Sequence, residues 1–407
     1  MSAKRIFMNR TRSAAVLVLL LGLSAPLYSQ RTYNVNGTID VVGGFDSYPP
    51  STGVPTGGDV PTDPFYGVLP GISLQSRTAR TVLNATYGFG LNHYASELPR
   101  DSKSHSASLS LSRDLGPRWT FTVTDWFSRT DDLFTYYALL GVELVDEDLV
   151  LYFSPVAANQ TLTTNRVGAS FSHQLSPRSS ITFGGEHGLG YYGNDADLVG
   201  LSDQNQFSGN FGYSRRITDR TSLTVSYNAG YFAFDKFNSA VSNAVTAGLS
   251  SIIAKDTTVS LSVGPSHVRN IEVNVDNLSY QASASLTKAI KGNSFHFTLS
   301  QGNATTSGVG TISSTRSASA GISRTFGRRV SVFADASAFQ GTGIIGNPFN
   351  TKGTTITGNV GLAIARNLSL QTGVQFQRYM QPSPYAFTQK RLFASLRYTQ
   401  PNLLRSR

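Results

Sequence analysis

The segment between Thr130 and Leu162 concentrates acidic side chains and holds no lysine or arginine. Carboxylates gathered in a narrow passage would set up an electric field that selects among the charged and polar solutes passing it. In an ordinary external connection the same carboxylates would be solvated or would bind divalent cations, and both interpretations stay open. The six candidate residues for such a constriction are Asp131, Asp132, Glu143, Asp146, Glu147 and Asp148.

The six histidines do not form a comparable group, because they are scattered over separate segments. Only Glu186 and His187 are an adjacent acid–histidine pair, and neighbours in a strand point to opposite faces of the sheet. A nucleophilic triad needs a base held by a third group beside the nucleophile, and no such arrangement is indicated. No phosphate-binding loop, dinucleotide fingerprint or metal-ligand cluster is visible. The sequence therefore predicts a protein that is not an enzyme and that needs no cofactor.

Apolar and polar residues alternate with a period of two along much of the chain. In the stretch from Thr221 to Asp235 one phase is apolar and aromatic, beginning with Leu223, Val225 and Tyr227, while the other phase is mostly small and polar. Successive side chains of a strand face opposite sides of its sheet. The stretch is therefore predicted to be a strand with one apolar face and one polar face.

A short turn recurs between such stretches. It consists of an apolar residue followed by three small, polar or turn-forming residues, and successive turns are 60, 42, 36, 37, 36 and 38 residues apart. Each repeat therefore corresponds to one long hairpin. The turns are Leu115–Arg118, Leu175–Arg178, Ile217–Arg220, Ile253–Asp256, Ile290–Asn293, Phe326–Arg329 and Ile364–Asn367.

Strand length separates a soluble sandwich from a membrane barrel. Soluble strands usually run about 5–6 residues, whereas strands that cross a bilayer need about 9–11. The alternating segments of this chain run roughly 11–15 residues, and eighteen can be counted, or sixteen without the first two. We predict an all-β fold, a transmembrane antiparallel up-and-down β-barrel of 16–18 strands, which is wide enough for a water-filled lumen. A β-solenoid is the structural alternative, but its rungs repeat at shorter intervals.

The connections between predicted strands alternate between short turns and longer, variable segments. In barrels of this kind the short turns face the periplasm and the longer loops face the outside of the cell. The acidic segment is then the third outward loop. Tyrosines near strand ends are predicted to form an aromatic girdle at the membrane interface, although tyrosine is also simply a good strand former. They are Tyr94, Tyr191, Tyr192, Tyr231, Tyr280 and Tyr379.

The first residues have the pattern of an export signal. A basic stretch precedes the apolar run Ala14–Leu23, which is too short to span a bilayer as a helix, and the small residue Ser29 marks the expected cleavage site. We therefore predict a signal peptide over residues 1–29 and a barrel over residues 30–407. The chain contains no cysteine, which excludes a lipid-anchored cysteine, disulfides and thiolate metal sites.

Charge and hydropathy agree with a barrel. Charged residues are only 14% of the chain, whereas about 25% is usual for a soluble protein. The net charge is +10, and four of the basic residues belong to the predicted signal peptide. The remaining excess is spread along the sequence without a basic block, so the chain is not expected to bind nucleic acid.

Two segments resemble known families. The last strand, with Arg391, Phe393, Leu396 and Tyr398, resembles the C-terminal assembly signal of bacterial outer-membrane barrels, which implies the barrel-assembly machinery as a partner. The stretch Thr38–Ser47 (TIDVVGGFDS) is similar to the start of the β-barrel porin families associated with exopolysaccharide gene clusters. The Leu-x-Pro-Arg turns are similar to that group as well.

The resemblance implies a porin-like protein of the bacterial outer membrane. The expected function is passive passage of small hydrophilic solutes, with selectivity set by the width and charge of the lumen. Two alternatives stay open, a barrel for exopolysaccharide export or surface assembly and a closed structural barrel. The expected partners are outer-membrane lipid and lipopolysaccharide and, for the export alternative, a polysaccharide.

Overall fold

The computed structural model describes residues 32–47, 62–95, 101–131, 152–153, 161–193, 202–307, 311–345, 350–380, 386–401 and 403. The signal peptide predicted for residues 1–29 lies outside them. Within the described residues the regular structure consists of eighteen long strands and one two-residue strand. The first nine strands are β1 (Thr32–Ser47), β2 (Thr62–Arg77), β3 (Thr81–Tyr94), β4 (Ser102–Asp114), β5 (Trp119–Thr130), β6 (Tyr152–Phe153), β7 (Leu162–Ser176), β8 (Ser179–Tyr192) and β9 (Gln204–Arg216). The others are β10 (Thr221–Phe234), β11 (Ala240–Ala254), β12 (Thr257–Asn270), β13 (Asp276–Ile290), β14 (Asn293–Ser307), β15 (Thr311–Phe326), β16 (Val330–Ile345), β17 (Asn350–Ala365), β18 (Leu368–Met380) and β19 (Ala386–Gln400).

The long strands form one closed antiparallel sheet. Each pairs with the strands before and after it, and β1 pairs with both β2 and β19. The closing ladder runs from Gly37 opposite Gln400 to Ser47 opposite Lys390. Closure leaves no free sheet edge along this seam, which is what a membrane barrel requires. The predicted up-and-down barrel is confirmed, and the strand number is eighteen, including the first two strands.

The connections at one end of the barrel are all two to four residues long, whereas those at the other end vary from three residues to the 31 residues between β5 and β7 that include β6. One short turn, Lys291-Gly292, has positive φ at both residues, 43° and 85°, as a two-residue hairpin turn of type I′ requires. We call the end with the turns the short-turn mouth and the opposite end the long-loop mouth. At the long-loop mouth β1 continues to Ser47 and β2 begins at Thr62, so both strands extend into the Pro- and Gly-rich stretch between them, which the sequence indicates as a loop.

The exposed large apolar side chains lie mainly on the outward phase of each strand. On β10, Val225 is 41% exposed and Tyr227 44% exposed. The intervening Ser226 faces the other way and shares a hydrogen bond with Thr246 across the lumen wall. An exposed apolar outer face against a polar inner face is the pattern of a barrel whose wall contacts lipid. The protein is therefore an outer-membrane β-barrel.

No helix among the described residues is long and apolar enough to cross a membrane.

Candidate functional site

Hydroxyl groups line the middle of the lumen. Because serine and threonine occupy the inward phase of adjacent strands, their side chains meet directly across the ladders. Thr86 and Ser108 approach to 2.7 Å, and Ser262 and Ser283 to 2.8 Å. Further pairs of this kind join Ser226 to Thr246, Ser250 to Ser260 and Ser300 to Ser317. Each hydroxyl can donate one hydrogen bond and accept others, so this wall can contact water and sugar hydroxyls.

Two ion pairs stand on the inner wall. Arg397 of β19 donates two hydrogen bonds of 2.7 Å to the Asp40 carboxylate of β1, in the fork geometry that strengthens such pairs. Arg166 Nε of β7 lies 3.1 Å from Glu186 Oε1 of β8. Both pairs lie inside the barrel, which fits the expectation that charges within strands avoid the lipid face.

A histidine and an aspartate meet on the inner wall across an intervening strand. His296 Nε2 of β14 lies 2.9 Å from Asp335 Oδ2 of β16, although β15 separates the two strands. Gly321 of β15 faces both residues in register, and a Cβ atom there would lie 2.7 Å from Asp335 Oδ2. The pair therefore depends on the missing side chain at Gly321. Among the described contacts no hydroxyl group is hydrogen-bonded to His296.

A buried polar cluster occupies the inner wall near the long-loop mouth, at the seam of β1, β2 and β19. The Asp46 side chain is fully buried. Gln389 Nε2 donates to Asp46 Oδ1 over 3.0 Å, and the Tyr94 hydroxyl donates to Asp46 Oδ2 over 3.3 Å. Such hydrogen bonds offset part of the cost of burying a carboxylate.

Arg391 belongs to the same cluster and is 2% exposed. In register it lies opposite Asp46, which in turn lies opposite Asp63 on β2. Within the described part of the chain no hydrogen-bond partner is found for Arg391 Nε, Nη1 or Nη2. Its guanidinium instead lies over the ring of Phe65, 4.1 Å from the centroid. The cation is therefore held by the face of an aromatic ring.

The long-loop end of the β14–β15 hairpin leans into the barrel. The β13–β14 ladder runs from Ile290 opposite Asn293 only as far as Ala282 opposite Gln301, whereas β14 stays paired with β15 up to Thr306. Beyond Gln301, where β14 has left β13, Asn303 Nδ2 donates a hydrogen bond of 2.9 Å to Ser266 Oγ of β12. Ser266 belongs to the inward phase of β12, so the hairpin reaches over the inner wall.

Ile312 of β15 confirms the direction of this lean. It is 1% exposed and packs with Phe234 of β10, Ala240 of β11 and Val268 of β12, all three of which are buried. A register shift between Ile312 and Ser313 accompanies the contact, and a bulge of this kind bends a strand. The hairpin therefore narrows the lumen at the long-loop mouth.

The short strand β6 lies at the same place. Tyr152 and Phe153 pair in parallel with Thr306 and Ser307 of β14. Around the barrel β5 and β7 are the fifth and sixth long strands, and β14 is the thirteenth. Although β6 lies between β5 and β7 in the sequence, it pairs with a strand on nearly the opposite side of the barrel. It therefore lies across the long-loop mouth from β5 and β7.

The predicted constriction residues fall almost entirely outside the described residues. Five of the six lie outside the part of the chain that the structure describes: Asp132, Glu143, Asp146, Glu147 and Asp148. Asp131 is described, and its Oδ1 accepts a 2.6 Å hydrogen bond from the backbone N–H of Lys103 at the end of the β4–β5 hairpin. This residue thus has a local structural contact.

The predicted girdle is only partly correct. Tyr191, Tyr231 and Tyr280 are on the outward phase and are 38%, 40% and 51% exposed. Tyr94 and Tyr192 face the lumen, where they are 5% and 1% exposed, so they do not belong to a girdle. The backbone of Tyr379 belongs to β18, and its side chain lies outside the described part.

An acidic residue lies on the lipid face far from the ends of its strand. Asp125 shares the outward phase of β5 with Phe121 and Phe127, near the middle of the strand. Asn165 of β7 donates a 2.8 Å hydrogen bond to Asp125 Oδ1. A carboxylate in the middle of a strand on this face departs from the inward placement expected of charges there.

Comparison with known proteins adds shape similarity only. No family model matches the chain, and no curated protein matches it. Similar solved structures include Acinetobacter baumannii OccAB4, Pseudomonas aeruginosa OpdQ and the Pseudomonas aeruginosa outer membrane protein OpdK, at 11%, 10% and 12% identity. The matches cover 91%, 91% and 90% of this chain and 99%, 98% and 99% of theirs, with TM-scores of 0.49, 0.48 and 0.45. Similarity at this level decides neither solute nor selectivity.

Proposed function

We propose that the protein is a porin-like channel that lets small hydrophilic solutes cross the outer membrane passively. The observation that supports this most is the hydroxyl-lined inner wall of an eighteen-stranded barrel, such as the Ser262–Ser283 and Thr86–Ser108 contacts. Barrels of 16–18 strands leave an aqueous channel. The ion pairs on the wall, Asp40–Arg397 and Arg166–Glu186, would then act on the charge of passing solutes.

The test is conductance of the purified protein in planar lipid bilayers. The proposal predicts stepwise, steady ion currents and uptake of small neutral sugars by liposomes that contain the protein. Detergent without protein serves as the control. Folded protein that inserts into the bilayer and carries no current would contradict a passive channel.

The alternative of a closed structural barrel has its own support. The leaning β14–β15 hairpin and the buried cluster around Ile312 both occupy the long-loop mouth. If the hairpin and this cluster fill the long-loop mouth, the barrel conducts no current, although the lumen on the short-turn side is filled with water. Disrupting the lean with Ile312→Ser would then open the barrel, which the same bilayer recording detects as new current.

Export of exopolysaccharide is the third proposal. The serine and threonine wall supports it, because paired hydroxyls such as Ser300–Ser317 can exchange hydrogen bonds with sugar hydroxyls. A dedicated export barrel would show little steady current alone, and a deletion strain would retain its surface polysaccharide inside the cell. Normal polysaccharide display in that strain would contradict this alternative.

The acidic segment remains proposed as a constriction of the channel. The placement of β6 beside β14 supports this, since Tyr152–Phe153 lies across the long-loop mouth from β5 and β7. The test is the pair of substitutions Asp146→Asn and Glu147→Gln. We expect lower preference for cations over anions in the bilayer recording. Unchanged conductance and ion preference would contradict the constriction.

The proposed partners follow from the surfaces. The apolar outer belt suits outer-membrane lipid, and acidic external connections suit lipopolysaccharide bridged by divalent cations. The barrel-assembly machinery is proposed to recognise the last strand, β19. Failure of a variant with Phe393→Ser and Tyr398→Ser to reach the outer membrane, alongside normal assembly of other barrels, would support that partner.

A further inference from the structure

The two mouths of the barrel differ strongly in charge. The eight short turns hold nine basic and two acidic residues, whereas the long connections hold fourteen acidic and two basic residues. The positive charge of the short turns therefore attracts anions to the short-turn mouth. The basic residues of the short turns are Arg80, Arg118, Arg178, Arg220, Lys255, Lys291, Arg328, Arg329 and Arg366.

Part of this positive charge faces the lumen. At the short-turn mouth, the inner ends of β4 to β10 enclose an open recess of about 700 Å³. Four arginines line it, Arg80, Arg118, Arg178 and Arg216. We call it the arginine recess. Arg216 faces inward because it lies opposite Ser222 in the β9–β10 ladder.

The four arginines have no ion-pair partner among the residues that the structure describes. Asp114 is the single acidic residue among those that line the recess, and its Oδ1 accepts a 2.9 Å hydrogen bond from Thr120. A cleft walled by protein and lined by one sign of charge concentrates ions of the opposite sign.

The rest of the recess carries hydroxyl groups. Ser172 of β7, Ser180 of β8 and Ser214 of β9 line it, and they stand on the inward phase of consecutive strands. The guanidinium fork matches a carboxylate or phosphate, and serine hydroxyls exchange hydrogen bonds with alcohols. The combination fits a solute that carries both an anionic group and several hydroxyls. Acidic sugars have that chemistry.

We propose that the arginine recess binds acidic sugars at the short-turn mouth. The proposal rests on the proposed channel function, in which this mouth is the periplasmic entrance. The inner wall places the ligand in the lumen rather than among membrane headgroups. Anionic solutes would thus be collected on the periplasmic side before they meet the acidic connections of the opposite mouth.

The test is calorimetric titration of the purified full-length barrel in detergent with trigalacturonate. Maltotriose, a neutral sugar of equal length, is the matched ligand control. We expect saturable binding of trigalacturonate that weakens as salt is added, and no measurable binding of maltotriose. Arg216→Ser and Arg118→Ser should each weaken binding by about tenfold.

Arg215→Ser is the matched control variant. Arg215 is the neighbour of Arg216 but lies opposite Leu223, on the outward face, so its loss should leave the affinity unchanged. Equal binding of the two sugars, or equal losses in the Arg215 and Arg216 variants, would overturn the proposal. So would unchanged affinity in Arg216→Ser protein whose β-sheet circular dichroism is normal.

Titration also separates this proposal from the channel proposal, because binding in detergent does not require an open pore. Absent binding by a protein that conducts ions would overturn the recess alone. Binding by a protein that carries no current would overturn the passive channel and leave the recess as an acidic-sugar site.

Discussion

The guanidinium of Arg391 lies 4.1 Å from the centre of the Phe65 ring, and both side chains are 2% exposed. This contact joins β19 to β2 across β1, at the place where the barrel closes. A desolvated cation on an aromatic face contributes about 2 kcal/mol or more. Arg391 therefore links closure of the barrel to one ring.

Phe65→Leu should lower the free energy of unfolding by about 2–3 kcal/mol, because it removes the ring face and leaves a small cavity. Urea unfolding in detergent micelles, followed by tryptophan fluorescence, measures the change. Phe45→Leu is the control, since Phe45 is 52% exposed on the outer face of neighbouring β1. Equal effects of the two substitutions would show that the Arg391 contact contributes nothing.

The Asp40–Arg397 pair should stabilise the same seam more modestly. Its side chains are 15% and 42% exposed, so solvent screens part of the attraction. A double-mutant cycle with Asp40→Asn and Arg397→Gln should give a coupling of about 1 kcal/mol. The pair Arg269–Asp276, 3.9 Å apart and more than half exposed, is the comparison and should give a coupling near zero. A larger coupling for Arg269–Asp276 would contradict the ranking.

Gly321→Ala should destabilise the barrel by about 1–3 kcal/mol, because its Cβ atom would occupy the space used by His296 and Asp335. Gly116→Ala should change stability by less than about 0.5 kcal/mol, since nothing lies within 4 Å of a Cβ atom there. Thermal unfolding of both variants in the same detergent checks the difference. Normal stability of Gly321→Ala would mean that the histidine–aspartate contact is not needed.

Removing the lipid-facing pair Asp125 and Asn165 should stabilise the barrel, unlike the substitutions above. Replacing both by valine should raise the free energy of unfolding in lipid by roughly 1 kcal/mol, because a charge on the lipid face is costly. The inward neighbour Thr124→Val serves as the control and should give no gain. A loss of stability in the double variant would indicate that the pair contacts another protein chain in the membrane.

The period-two pattern of the sequence is enough to predict most strands of the barrel. The stretch from Thr221 to Asp235 is predicted as a strand, and β10 covers nearly the same residues. Alternation is read directly from residue types, and the short turns fix which strands are neighbours. The sequence does not indicate the extension of β1 and β2 into a Pro- and Gly-rich stretch, because proline and glycine usually end strands.

The site was harder to predict, because it depends on contacts between strands. Tyr94 and Tyr192 look like girdle residues from their position at strand ends, yet their phase turns them to the lumen. His296 and Asp335 are 39 residues apart in sequence, and only the register through Gly321 brings them together. The lean of the β14–β15 hairpin depends on where the β13–β14 ladder stops, which no local pattern indicates.

The orientation of the wall is tested most directly by cysteine labelling, and the chain has no native cysteine to interfere. In liposomes, a charged, membrane-impermeant maleimide should react rapidly with Ser226→Cys, which faces the lumen, and slowly or not at all with Val225→Cys, which faces lipid. The opposite order, rapid reaction at residue 225 and protection at residue 226, would contradict a wet lumen inside an apolar wall.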